Sequence, residues 1–177
     1  MMRYFAGAAL AVLAATPSFA MNLTSRDVTE GKPFDVKFVC TKYGGESLSP
    51  ELSWSGLPAE TKSLALTMFD PDAGKAGFWH WLAADIPASI KGFEEGAGGA
   101  GKLPPGSTAL PNGAGHANYD GPCPPAGPAH HYQITLYAMP DEKSAIPAGA
   151  KAPDMGAWLA EHALATARLT PVFAQPK

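Results

Sequence analysis

The sequence predicts a mainly β domain: an antiparallel β-sandwich with one helix near the C-terminus. Three observations point there. Short alternating or continuous apolar runs recur between turns, with the length and rhythm of strands. The 177 residues include 19 glycines and 18 prolines, a density that suits turns and shaped loops and does not suit a helix bundle. One helical stripe stands close to the end. Hydrophobic residues make up 46 %, enough for one packed core and too many for a disordered chain.

Residues 1–20 read as a secretory signal. Arg3 is followed by an apolar stretch over 6–15, too short to cross a bilayer, and Ser18-Phe19-Ala20 puts small residues at the cleavage positions. Residues 21–177 then form a single exported domain, expected in the periplasm or secreted, with no transmembrane segment in the mature chain. Residues 34–38 alternate apolar and polar, as a half-buried strand does, and Cys40 follows on that strand. A short strand over 52–55 carries Trp54. The unbroken apolar run 64–69 suits a central strand covered on both faces and delivers Asp70 at its end. A strand over 79–86 puts His80, Leu82, Ala84 and Ile86 on one face, and Pro87 ends it. Residues 88–118 form a long Gly/Pro-rich connection, a length that is usually either functional or disordered. A strand over 132–139 aligns Tyr132, Ile134, Leu136 and Ala138, with His130 at the same parity. Asp154 is expected to cap a helix whose apolar stripe is Met155, Trp158, Leu159 and His162, closed by Pro171.

Composition removes several functions. A formal charge of −3 argues against a basic nucleic-acid face and against docking on anionic membranes by charge. Residues 96–102 fit GxxxxGK, but Leu103 stands where a phosphate loop needs Ser or Thr, and Pro104-Pro105 block the helix that must follow. There is no GxSxG elbow and no HExxH helix. The two cysteines, Cys40 and Cys123, allow one disulfide in an oxidising compartment or two buried thiols; both readings stand.

Two stretches carry the chemistry. Asp70-Pro71-Asp72-Ala73 precedes Trp79-His80-Trp81, and Tyr119-Asp120-Gly121-Pro122-Cys123-Pro124-Pro125 precedes His130-His131-Tyr132. Pro71 holds Asp70 extended, so its carboxylate is stiff before a ligand arrives. Asp72 suits a structural role, accepting backbone N–H groups of the turn. With Asp70 beside it, His80 would favour imidazolium and hold a phosphate or carboxylate oxygen; without it, His80 is a satisfied core residue. A zwitterionic ligand is the other option, its ammonium facing Asp70 or an aromatic ring. Pro122, Pro124 and Pro125 rule out an interior strand and make a rigid wall, and Gly121 permits close backbone approach to a ligand. His130 and Tyr132 would close the site, with Tyr119 as wall or donor and His131 peripheral on the opposite face.

At these residues the chain resembles the phosphatidylethanolamine-binding protein (PEBP) family, in its bacterial Raf-kinase-inhibitor-like branch. That family's Asp-Pro-Asp-Ala-Pro motif appears with Gly74 in place of the last proline, and its loop leading to His-Arg-Tyr appears with His131 in place of arginine. Residues 48–54 (LSPELSW) and 136–139 (LYAM) also match the branch. The resemblance implies a Greek-key sandwich with a small anion pocket for phosphate-like groups, including phospholipid heads. It implies ligand-binding roles for Asp70, His80, Pro125, His130 and Tyr132, with Tyr119 and Gly121 near the rim. It implies no enzyme activity and no cofactor. A metal held by Asp70, His80 and His130 is not expected, because no ligand pair has zinc-motif spacing. The alternative function is modulation of a protein partner, such as a kinase or protease, through rim loops that include 92–118.

Overall fold

The computed structural model describes residues 20–175, so the reading of 1–20 as a signal lies almost wholly outside the described residues. In chain order the strands are β1 (Asn22–Thr24), β2 (Leu52–Ser55), β3 (Ser63–Asp70), β4 (Phe78–Pro87), β5 (Gly92–Phe93), β6 (Thr108–Leu110), β7 (His130–His131), β8 (Gln133–Met139), β9 (Ala165–Leu169) and β10 (Val172–Phe173). Among the described residues one α-helix, α1 (Ala152–His162), lies between β8 and β9.

The apolar run of β3 is buried at every position except Phe69, because β4 and β8 flank it in the middle of a five-stranded antiparallel sheet, order β6-β4-β3-β8-β9. The order β8-β3-β4-β6 is a Greek key: the fourth strand returns by a long connection to lie beside the first. β1, β2 and β5 form a smaller sheet. Leu52, Trp54 and Phe93 from it share one core with Leu66, Trp81 and Leu136 from the large sheet. Each such side chain contributes about 2 kcal/mol by leaving water. The outer face of the large sheet is covered by α1, through Met155 and Leu159 against Leu82, Ala65 and Ala84. The long connection over 88–118 is therefore not structureless; it supplies β5 to the smaller sheet and β6 to the large one.

Several expectations change. Residues 34–38 do not form a strand. Asp35 accepts the Lys37 N–H at 3.0 Å and caps a 3-10 turn, Val36–Phe38, while Phe34 and Phe38 still bury their rings. Cys40 accordingly sits between this turn and a second one, Thr41–Tyr43, and not on a strand. Of the two readings of the cysteines, the disulfide is correct: Cys40 and Cys123 are bridged, with Cα atoms 5.4 Å apart.

The shared face of β4 is also revised. Its pairing with β3 slips twice, so that Met68 opposes Trp81 while Phe69 opposes Trp79, leaving His80 in a bulge. The second slip lies near Asp85, which adopts φ 56°. Each bulge swaps the face. Trp81, Ala83 and Ile86 enter the sandwich core, whereas Leu82 and Ala84 meet the helix side.

The helix begins at Ala152, so Asp154 is its third residue, not its cap; its carboxylate accepts the Lys151 N–H at 3.3 Å. Pro171 does not close the helix either. An extended Ala163 leads into β9, which pairs along β8, and then into β10.

Candidate functional site

β3 ends on Asp70, which is 2 % exposed. Pro71 has no N–H, so the first amide available to the turn is that of Asp72, and it donates to Asp70 Oδ1 at 2.9 Å. The other oxygen, Oδ2, accepts His130 Nδ1–H at 2.7 Å. His130 is delivered by β7, a two-residue strand paired with β10, where Phe173 opposes it. The carboxylate thus has both oxygens engaged and fixes one imidazole.

His80 is held differently. Its Nδ1 donates to the Asp120 carbonyl at 2.8 Å, and the Asp120 N–H donates back to the His80 carbonyl at 3.0 Å. The ring is 6 % exposed and meets Phe78 and Tyr132 edge-on, with centroids 4.8 and 5.3 Å away. Burial pushes its pKa below the usual histidine value, against the opposing pull of the Asp120 carbonyl and the Asp70 charge. The expectation that Asp70 makes His80 an imidazolium is therefore corrected. The carboxylate pairs with His130, and His80 is neutral at pH 7. Asp120 is itself tied down: Asn112 Nδ2 donates to its Oδ2 at 2.8 Å, Asn118 Nδ2 to its Oδ1 at 3.1 Å, and His116 Nδ1 lies 3.0 Å from Oδ2.

The two imidazoles, fifty positions apart in sequence, line one open pocket of about 450 Å³ with Asp72, Phe78, Pro124 and Pro125 among the other walls. The wall 122–125 is stapled to 40–43. Besides the disulfide, Cys40 N–H donates to the Pro122 carbonyl at 3.0 Å, and the Tyr43 hydroxyl donates to the Pro124 carbonyl. At the lip, Asp72 Oδ2 accepts both the N–H and the Nδ1–H of His131 at 2.8 Å. These bonds hold the Asp72 carboxyl below its ordinary range. His131, expected to be peripheral, thus braces the loop that begins at Asp70. Gly77 lines the pocket at φ 65°, and a Cβ there would sit 2.3 Å from the Phe69 ring.

Four expected site residues are not in the lining: Asp70 sits behind His130, with Asp72, expected to be structural, at the wall in its place, and three others lie elsewhere. Tyr119 is core, 2 % exposed, with its hydroxyl donating to the Phe38 carbonyl at 3.0 Å. The close approach at Gly121 is to the chain and not to a ligand: a Cβ would lie 2.6 Å from the Phe38 carbonyl oxygen. Tyr132 is fully buried behind His80, and its enclosed hydroxyl has no partner among the described residues. Burial first, then the charge of Asp70, keeps that hydroxyl protonated. The 92–118 loop, expected at the rim, gives the pocket no lining residue; it supports His80 from behind through Asn112. Among the described residues no three His, Cys, Asp or Glu side chains are grouped as a metal ion needs. Sequence reasoning passed over Phe78, Asn112 and Asp120. The last stood inside a motif already singled out, but nothing marks a backbone carbonyl as a histidine's anchor.

The molecule is thus a Greek-key sandwich carrying a small imidazole–carboxylate pocket at the end of its central strands. The chain belongs to the phosphatidylethanolamine-binding protein family, whose sequence profile matches residues 24–174. Escherichia coli YbcL is 37 % identical over 160 residues, 87 % of each chain. The crystal structure of YbcL, described as a new member of the mammalian PEBP family, aligns with a TM-score of 0.82 at 36 % identity, over 88 % of this chain and 99 % of that one. A Methanothermobacter thermautotrophicus protein is 38 % identical over 153 residues, 86 % of this chain and 98 % of its own. A Mycobacterium tuberculosis protein named as a candidate lipoprotein, LppC, is 36 % identical over 171 residues, 93 % of this chain and 79 % of its own. That name is compatible with export here. No helix among the described residues is long and apolar enough to cross a membrane.

Proposed function

We propose that this domain is a receptor for a small phosphate-bearing or zwitterionic ligand of phospholipid-headgroup type, and that it binds this ligand without transforming it. The observation that carries the reading is the convergence of His80 and His130 on one pocket with Asp70 behind His130. An anion arriving at His130 would accept a hydrogen bond from the ring, whose Nδ1 the buried Asp70 carboxylate holds in place. An ammonium on the same ligand would meet the Asp72 carboxylate or the Phe78 ring. The volume suits a headgroup-sized molecule. Binding without turnover is supported by the lining: Cys123 is its only cysteine and is bridged, and it has no serine or threonine to act as nucleophile. We also infer a periplasmic or secreted location, supported by the disulfide and the signal-like 1–20 segment.

Histidine NMR during titration with phosphate and phosphoethanolamine tests the reading. The ring signals of His80 and His130 are expected to move together, while His116 and His162 stay in place. Silence from both pocket rings at millimolar ligand would sink it.

A further inference from the structure

Ligand selection in this pocket turns on one ring nitrogen. The Asp120 carbonyl offers only lone pairs, so His80 Nδ1 keeps its proton to satisfy it. The other nitrogen, Nε2, has no protein partner and is not among the enclosed polar atoms, and the ring lines the pocket. With the ring neutral, Nε2 is an acceptor. Burial disfavours a second proton on the ring, against the opposing pull of Asp120 and Asp70. Asp70 faces it from the end of β3, but that carboxylate is engaged by His130 and the Asp72 amide. Asp120 faces it from the loop, with its carboxylate spent on Asn112, Asn118 and His116. Tyr132 packs against it, and Asp72 is paired with His131 at the lip. No lysine or arginine stands among the lining residues.

This arrangement repels an oxyanion that brings charge without a proton. A phosphomonoester dianion would set its oxygens against the Nε2 lone pair and add two charges beside Asp70 and Asp72. A phosphodiester carries less charge but also has no O–H. We propose that the pocket takes its ligand as a proton-bearing oxyanion, whose P–O–H donates to His80 Nε2 while a second oxygen accepts from His130, and that it therefore selects phosphomonoesters and free phosphate over phosphodiesters. The inference rests on the pocket being the ligand site. It separates two sources of the same phosphate chemistry: a free monoester fits, whereas the diester of an intact phospholipid head does not.

Calorimetric titration of the unmodified protein with inorganic phosphate, methyl phosphate and dimethyl phosphate tests this between pH 5.5 and 7.5. At pH 5.5 methyl phosphate is expected to bind at least about tenfold more tightly than dimethyl phosphate, the order expected for one unmet buried acceptor. As pH rises through the second ionisation of the monoester, near about 6 for such groups, methyl phosphate loses its O–H. Its affinity should then fall about tenfold further than that of inorganic phosphate, whose dianion keeps one. The comparison cancels any pH effect on the protein that acts on both ligands alike. Equal affinity for monoester and diester, or parallel pH profiles for methyl phosphate and phosphate, would overturn the inference and leave the pocket reading standing. If none of the three binds at any pH, the pocket reading fails and this inference falls with it.

Discussion

The two walls of the pocket are built by opposite means. His80 belongs to β4, a ten-residue strand inside the main sheet, and its ring is oriented by a backbone carbonyl. His130 belongs to a two-residue strand beside a proline loop, and its orientation depends on a carboxylate, a short pairing with β10 and a nearby disulfide. The first wall stands because the core stands. The second has little apolar burial of its own and is assembled from discrete polar and covalent ties. The partner behind each ring also sets its chemistry. A carbonyl behind the buried His80 ring leaves its other nitrogen an acceptor toward the pocket, whereas His130 has a charged partner behind it.

The largest break in this contrast should come from the covalent tie. The Cys40–Cys123 bridge spans 83 residues of sequence, so removing it restores a large loop-closure entropy to the unfolded chain. Reduction, or replacement of both cysteines by serine, should lower unfolding free energy by about 3 kcal/mol, read from urea curves with and without reductant. Hydrogen exchange should then show the Cys40 and Tyr43 amides, bonded to the Pro122 and Cys40 carbonyls, losing protection while β4 keeps it. Equal loss in β4 would mean that the walls are one unit and the contrast is wrong.

The next effect belongs to Asp70. Asp70→Asn keeps the shape but replaces an acceptor oxygen with an NH2 group, facing either the Asp72 amide or His130 Nδ1. Loss of a hydrogen bond to a buried carboxylate should cost about 2 kcal/mol. Phosphate affinity by calorimetry should fall about tenfold or more, because a charged hydrogen-bond partner of His130 is gone. A rise in affinity instead would show that Asp70 acts mainly by repelling anions, and the account of the second wall would fail.

How much of this was legible depends on where the determinants lie. β3 announces itself, because it is covered on both faces and Leu64, Ala65, Leu66 and Met68 are apolar at successive buried positions broken only by Thr67. The pairing of motifs around Asp70 and His130 was equally visible, since both rest on side-chain identity. The face of His80 was not. A bulge has no composition signal, yet it moved His80 and Ile86 off the face that strict alternation gave them. β9 was missed because its inward residues are mostly alanine, Ala165 and Ala167 before Leu169, a pattern that reads as helix as readily as strand. Tyr119 and Gly121 sit in the right motif, but their work is to seat the loop against 38–40, which no local pattern reveals.

A third test exploits the neutral ring. Because the folded pKa of His80 lies below the unfolded value of 6.5, the unfolded chain binds the proton first on acidification. The ring's contribution is complete above about 6.5, where both states are neutral, and declines as pH falls toward the folded value. Urea midpoints should drop between pH 7 and pH 5 more steeply in the native sequence than in His80→Gln. A His80→Gln slope that matches the native one would show that the ring titrates as freely as in solvent, contradicting its assignment as a buried acceptor.

The smallest effect should come from the pair that looks most like Asp70–His130. Asp72 and His131 make the same imidazole–carboxylate contact at 2.8 Å, but their side chains are 42 % and 57 % exposed, against 3 % and 12 % for Asp70 and His130. Solvent screens the outer pair, so Asp72→Asn should change stability by less than about 0.5 kcal/mol, and molar salt should erase the difference. The sign with pH opposes that of His80 in origin though not in direction. The Asp72 carboxyl is held below its ordinary value of 3.8 chiefly by His131, so its contribution is present above that value and lost as pH falls through the folded one. The native-minus-variant difference should therefore persist at pH 5 and shrink as pH falls below 3.8. A cost comparable to that of Asp70→Asn would mean that burial is not what separates the two pairs, and that the lip is as much a part of the binding wall as the carboxylate beneath it.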